Sequence, residues 1–126
     1  MNFDEVFGTF KVLADISSEE ASRWAYLVLS CIADISERLI PDFEEERYSR
    51  RLNEAAAALA LYRYRKILCA RGELSGIKAG DVTITDARGS VDSARELYIE
   101  SLEKIADIVT DNYFTFGRTD SLCTSE

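Results

Sequence analysis

The chain has 126 residues, of which 47% are hydrophobic and 30% charged, and its formal net charge is −8. This length and composition predict one folded domain and exclude a chain that is disordered throughout. A strongly acidic surface repels phosphate, which disfavours sequence-independent binding to DNA or RNA. No stretch reaches the ~20 apolar residues of a membrane span. Because Asp4 and Glu5 stand where a signal peptide would be basic, we expect a cytoplasmic location.

Two helices are predicted in the first third of the chain. The first covers residues 3–14, because apolar residues recur there at the three- and four-residue spacing of one helix face. The second covers residues 18–39, with Ser17 and Glu20 fitting a capping box at its start. Pro41 is expected to end it, since the residue before a proline is pushed out of the helical region.

The third and longest predicted helix covers residues 42–71, with Asp42 as its cap. Its middle, residues 55–61, is apolar nearly all round, which predicts a helix enclosed by other helices. Gly72 follows the last turn and is typical of a helix C-terminus.

The pattern changes after this helix. Residues 72–89 are predicted to form a strand and loop, with the alternating strand near 81–85. A fourth helix is predicted over residues 91–110, followed by an extended segment, 112–126, whose residues 113–117 could pair with the strand. The sequence thus predicts a mainly α fold: one domain, 1–126, resembling a four-helix bundle with a small β element.

The side chains needed for common catalytic and metal sites are scarce. Histidine is absent, which excludes Ser–His and Cys–His nucleophilic centres. The three cysteines, Cys31, Cys69 and Cys123, form no close pair, so a zinc site has almost no ligands. We therefore expect no enzymatic activity, no metal, no cofactor and no small-molecule ligand. Cys31 and Cys69 are expected to behave as small hydrophobic residues inside helices.

Basic and tyrosine side chains are concentrated on the third predicted helix. These residue types are enriched in protein interfaces. A nucleic-acid surface is a second interpretation, which the net charge disfavours. A third is that arginines in the first half pair with Glu44, Glu46 and Glu54 along the helix. The candidate contact residues are Arg47, Arg51, Tyr62, Arg63 and Tyr64.

The aromatic residues near the end of the chain leave two possibilities open. Phe114 and Phe116 could fold back onto the helices, since aromatic side chains normally seek burial. They could also present an edge strand to a neighbouring chain.

Three segments taken in order resemble a known family: the alanine-rich helix and tyrosines of residues 55–64, the Gly-Asp-Val turn within 77–84, and the aromatic residues 113–116. Together they are similar to head–tail connector, or head-completion, proteins of tailed phages and prophages in Gram-positive bacteria. The resemblance covers about residues 48–118.

The resemblance implies a helical bundle with a small β element that forms a ring between portal and tail, without catalysis. Its partners would be copies of itself and the portal or tail proteins. The protein would be a virion component assembled in the bacterial cytoplasm. Gly80, Asp81 and Val82, together with the C-terminal segment, would contact these neighbours.

A different class of function is also compatible with the residues. The chain could be a small helical protein-binding or regulatory module that uses the Arg/Tyr face of its third helix. Such a module is expected to be a monomer or dimer that engages one protein partner.

Overall fold

The computed structural model describes residues 1–72 and 84–110, with the backbone alone for 84–88. These residues form a mainly helical, bundle-like fold, which confirms the predicted fold class. The elements are α1 (Phe3–Ala14), α2 (Ser18–Ser22), α3 (Ala25–Ser36), α4 (Glu45–Arg71), α5 (Ile84–Glu103) and a 3-10 helix (Ala106–Ile108).

Helix α4 lies at the centre of the bundle. It packs against α5 on one side and against α1 and α3 on others. Every residue from 55 to 61 is buried, as the apolar run predicted. Alanine dominates this run, and its small side chain allows the neighbouring helices to lie close to the backbone of α4.

Helix α1 has the predicted bounds, and the side chain of Asn2 caps its start by accepting a hydrogen bond from the Glu5 N–H (3.2 Å). The buried Asn53 of α4 fixes this end. Its Oδ1 accepts from the Asn2 N–H (3.2 Å), and its Nδ2 donates to Glu5 Oε1 (2.5 Å). Both ends of a buried amide are thus satisfied, which removes most of the cost of burying it.

The prediction of one continuous helix over residues 18–39 is wrong. The chain divides there into α2 and α3, with Arg23 and Trp24 between them. The predicted cap is present, since Ser17 Oγ accepts from the Glu20 N–H (3.1 Å). The break directs the Trp24 indole against Tyr64, with the ring centroids 4.8 Å apart. Burial of a large aromatic ring offsets the loss of helical hydrogen bonds at the break.

Helix α3 also ends earlier than predicted, at Ser36 rather than residue 39. Residues 38–40 instead pair with residues 108–110. The Ile40 N–H donates to the Ile108 carbonyl (2.9 Å), and the Thr110 N–H donates to the Arg38 carbonyl (3.0 Å). This short bridge ties the link between α3 and α4 to the end of the described chain.

Helix α4 begins at Glu45, so Asp42 is not its cap. The Phe43 ring packs edge-on against Tyr48 at 6.1 Å, which holds the preceding residues in a bend. The predicted end is confirmed, since Gly72 adopts the left-handed conformation (φ 73°) and its N–H bonds back to the last turn.

Helix α5 begins at Ile84 rather than residue 91, which corrects the predicted strand near 81–85: Ile84 and Thr85 are helical. A four-residue alternation is too short to distinguish strand from helix. The rest of that strand and its proposed partner, residues 113–117, lie outside the described residues. The predicted end at 110 is also too late, because α5 stops at Glu103 and a 3-10 helix follows.

Candidate functional site

The outer face of α3 is unusually apolar for a surface. The only polar residues of this helix are Ser30, Asp34 and Ser36. Its inner side is buried against the bundle through Val28, Cys31 and Ile35. On the outer side Tyr26 is 84% exposed, Leu29 is 50% exposed and Ala33 is also exposed. A helix that is apolar all round is normally covered on all sides, whereas the described residues cover this one on one side only.

A second surface feature is a cleft of about 590 Å³ between the first half of α4 and the end of α5. Four basic side chains and one carboxylate line it. They are Arg47, Arg50, Arg51, Lys104 and Glu54. We call this the basic cleft, and it stands out because the whole chain carries a net charge of −8.

The arginines of the basic cleft are partly paired along the helix, as one interpretation of the sequence predicted. Arg47 lies 3.9 Å from Glu44, and Arg50 lies 3.4 Å from Glu54. Arg51 instead donates to the Lys104 carbonyl (3.5 Å) and so connects α4 to the turn that follows α5. Because these groups are mostly exposed, each pair stabilises the fold little and leaves the arginines available to an anion.

Tyr48 forms the floor beneath two of these arginines. The guanidinium carbons of Arg47 and Arg51 lie 5.8 and 5.7 Å from its ring centroid, within cation–π range. The Tyr48 hydroxyl donates a short hydrogen bond to Asp107 beyond α5. This bond raises the pKa of Tyr48 and lowers the pKa of Asp107. The hydrogen bond to Asp107 thus fixes the aromatic ring of Tyr48, on which the guanidinium groups of Arg47 and Arg51 lie.

The other predicted Arg/Tyr residues do not form one face. Tyr62 stacks on Tyr98 of α5 (6.4 Å between ring centroids). Arg63 forms an ion pair with Asp34 of α3 at 2.7 Å. Tyr64 is only 2% exposed and packs edge-on against Phe10 and Trp24, so it cannot contact a partner of the folded chain. Consecutive helical residues point about 100° apart, which sends these three side chains to three different neighbours.

Arg63 also approaches the buried Cys31, with its Nη1 donating to Sγ at 3.7 Å. Burial nevertheless raises the pKa of the Cys31 thiol to about 11. A thiol with this pKa stays protonated at neutral pH and is a poor nucleophile. The expectation that Cys31 behaves as a small hydrophobic residue is confirmed by its complete burial.

The remaining candidate contact residues, Gly80, Asp81, Val82, Phe114 and Phe116, lie outside the described residues. Their proposed contacts with neighbouring subunits, portal or tail stay predictions from the resemblance.

Among residues 1–72 and 84–110, no group of three or more metal-binding side chains comes together. Over that same part of the chain, no helix combines the length and apolar character needed to cross a membrane.

No protein-family model matches this chain, and neither a curated protein nor a solved structure does.

Sequence reasoning missed the outer face of α3. The candidate contact residues predicted from the sequence do not include Tyr26 or Leu29. The available signal was composition: a twelve-residue helix with three polar residues has more apolar surface than one packing face can bury.

Proposed function

We propose that this protein is a non-enzymatic assembly protein, a ring-forming adaptor of the kind that joins portal to tail in tailed phages. The observation that carries the proposal is the uncovered apolar face of α3, formed by Tyr26, Leu29 and Ala33. Apolar surface of this kind marks a site that another protein covers. We infer the class of assembly, a ring between portal and tail, from the order of the three segments that resemble connector proteins.

Following the resemblance to connector proteins, we propose the portal protein as the partner that covers this face. The outer side of α3 carries no charged side chain between Tyr26 and Ala33. A charged group of the partner would find no opposite charge on this face, so the face is best matched by an apolar partner surface. An interface of this kind gains its free energy from buried apolar area, at about 25 cal/mol per Å², less the cost of association.

The small helical binding module, a monomer or dimer, remains the alternative function, but Tyr62, Arg63 and Tyr64 give it little support because each contacts its own chain. It would instead use the same α3 face toward a single regulatory partner. The two functions differ in the size of the complex: a ring adaptor forms a discrete large oligomer, alone or on the portal, and the module does not.

The test is the mass in solution by light scattering after size exclusion, over a range of concentrations. The chain is measured alone and with the portal protein encoded in the same genome. We expect a discrete oligomer or a portal complex. Tyr26→Glu with Leu29→Glu should abolish the portal complex while leaving the helical circular dichroism unchanged, because both side chains are at least half exposed.

Val12→Glu is the matched control, since Val12 is a 75% exposed apolar residue on a different helix. It should leave the portal complex intact. A chain that remains monomeric and ignores the portal at every concentration would overturn the proposed function.

A further inference from the structure

The solvent-facing side of α5 carries a row of carboxylates, which we call the acidic row. Its four members are exposed and follow one another at intervals of three or four residues: Asp92, Glu96, Glu100 and Glu103. The opposite side of α5 is buried, through Ala94 and Ser101. The row therefore lies on the outside of the bundle, available to another molecule.

Like charges one turn apart on a helix repel each other weakly. Within the part of the chain that the structure describes, no member of the acidic row forms an ion pair that would offset this repulsion. The row is thus a line of negative charge with no described partner of opposite sign within its own chain.

The basic cleft matches this row in sign and in spacing. Arg47 and Arg51 are one helical turn apart, as are Glu96 and Glu100, and residues at that interval lie about 6 Å apart on a helix surface. Two arginines on one helix can therefore meet two glutamates on another at the same time. Arginine is well suited to such contacts because its planar guanidinium binds a carboxylate through two hydrogen bonds.

We propose that the basic cleft of one copy of this chain binds the acidic row of a neighbouring copy. The inference rests on the proposed function, since it supplies the contact between subunits of the ring. Two copies of charge −8 repel each other in most relative orientations. A contact that brings the basic cleft onto the acidic row is therefore favoured over other orientations of the two subunits. The cleft and the row share no residue, so each copy can use one toward each neighbour, and such a head-to-tail contact gives a ring when the rotation between subunits closes.

The experiment reverses each surface separately and then both together. The cleft variant is Arg47→Glu with Arg51→Glu, and the row variant is Glu96→Arg with Glu100→Arg. Each should weaken self-association at least about tenfold, because like charges then face each other. The chain that carries all four substitutions keeps the net charge of −8 and should recover the oligomer. An equimolar mixture of the row and cleft variants should also associate, because the unchanged cleft of one variant meets the unchanged row of the other, and the two reversed surfaces also carry opposite charges.

The matched control is Glu37→Arg with Asp42→Arg, which changes the net charge as much as the row variant does. Both residues are exposed, and neither belongs to the acidic row or lines the basic cleft. This control should leave the oligomer intact. Circular dichroism and thermal unfolding of every variant establish that the fold is retained. The wild-type oligomer should also weaken as NaCl rises, since salt screens exposed charges.

The mass of the oligomer separates this inference from the proposed function. A ring or portal-bound oligomer that tolerates both reversals overturns the inference and leaves the function standing. If the chain forms only a closed dimer, and this dimer needs both surfaces, the result supports the inference and excludes the ring-forming adaptor. Self-association that is unaffected by the cleft variant, while that variant abolishes binding of a labelled DNA oligonucleotide, assigns the cleft to nucleic acid and overturns the inference. A monomer under all conditions, with and without portal, overturns both.

Discussion

Arg63 on the central helix and Asp34 on α3 form an ion pair at 2.7 Å that joins the two helices. The two side chains are 35% and 39% exposed, so the pair is neither buried nor fully solvated. Arg63 also donates to Cys31 Sγ at 3.7 Å, which places the charged group at the edge of the core. The pair therefore holds α3, whose outer face we assign to a partner, in a fixed position on α4.

Removing one member of this pair should lower the free energy of unfolding. We expect Asp34→Ala to cost about 1 kcal/mol, since the pair is only partly desolvated and Arg63 would be left without its carboxylate. Urea unfolding followed by circular dichroism measures the effect. Arg50→Ala is the control, because its exposed pair with Glu54 is worth only about 0.3–0.5 kcal/mol. Equal effects of the two substitutions would show that the Asp34 pair has no special role.

The alanine run of α4 should not tolerate larger side chains. Ala57 is fully buried, so Ala57→Leu adds volume where neighbouring helices already touch the backbone. Overpacking of this kind costs about 1–3 kcal/mol. Ala70→Leu is the same change at an exposed position of the same helix and should be nearly neutral. The two thermal unfolding midpoints are compared, and a nearly neutral Ala57→Leu would mean that the core holds unfilled space.

The two described cysteines should differ in reactivity. Burial raises the pKa of Cys31 to about 11, so at pH 8 only about one thiol in a thousand is ionised. Cys69 is half-buried and should react with a thiol reagent in the folded protein. The measurement is the rate of modification in a Cys123→Ser background, with Cys69→Ser added to isolate Cys31. Rapid labelling of Cys31 without unfolding would contradict its burial.

The hydrogen bond from Tyr48 to Asp107 should give stability a defined pH dependence. The pKa of Asp107 is lowered below its ordinary 3.8, so this contribution is present above pH 3.8 and is lost as pH falls through the lowered pKa. The pKa of Tyr48 is raised above 10, so its contribution is present below pH 10 and is lost as pH rises through the raised pKa.

Tyr48→Phe tests this dependence by removing the hydroxyl alone. Between pH 3.8 and pH 10 the free energy of unfolding of this variant should be below that of the wild type. The difference should shrink at lower pH, as Asp107 is protonated, and at higher pH, as Tyr48 is ionised. Tyr26→Phe is the control, because the Tyr26 side chain is 84% exposed. A difference between wild type and Tyr48→Phe that stays constant through acid and alkaline pH would contradict the assigned bond.

Part of the candidate site could be predicted from the sequence. The concentration of arginine on the third predicted helix identified Arg47 and Arg51, which the structure places together in the basic cleft. Lys104 could not be assigned to this cleft, because it lies just after α5, more than fifty residues beyond Arg51 in the chain. The prediction of a continuous Arg/Tyr face failed at Tyr64, since residue type alone does not say which side of an enclosed helix faces solvent.

The sequence by itself determined the helical class, the bounds of α1, the enclosed middle of α4 and its end at Gly72. Each of these depends on local chemistry: the spacing of apolar residues, side chains that cap helix ends, and the backbone freedom of glycine. Only the tertiary structure decided that the chain breaks at Trp24 and that three consecutive residues of α4 contact three different helices. It also decided that α3 is covered on one side. These outcomes depend on which helices surround α4 and at what angle, and that competition among packing arrangements involves residues far apart in the chain.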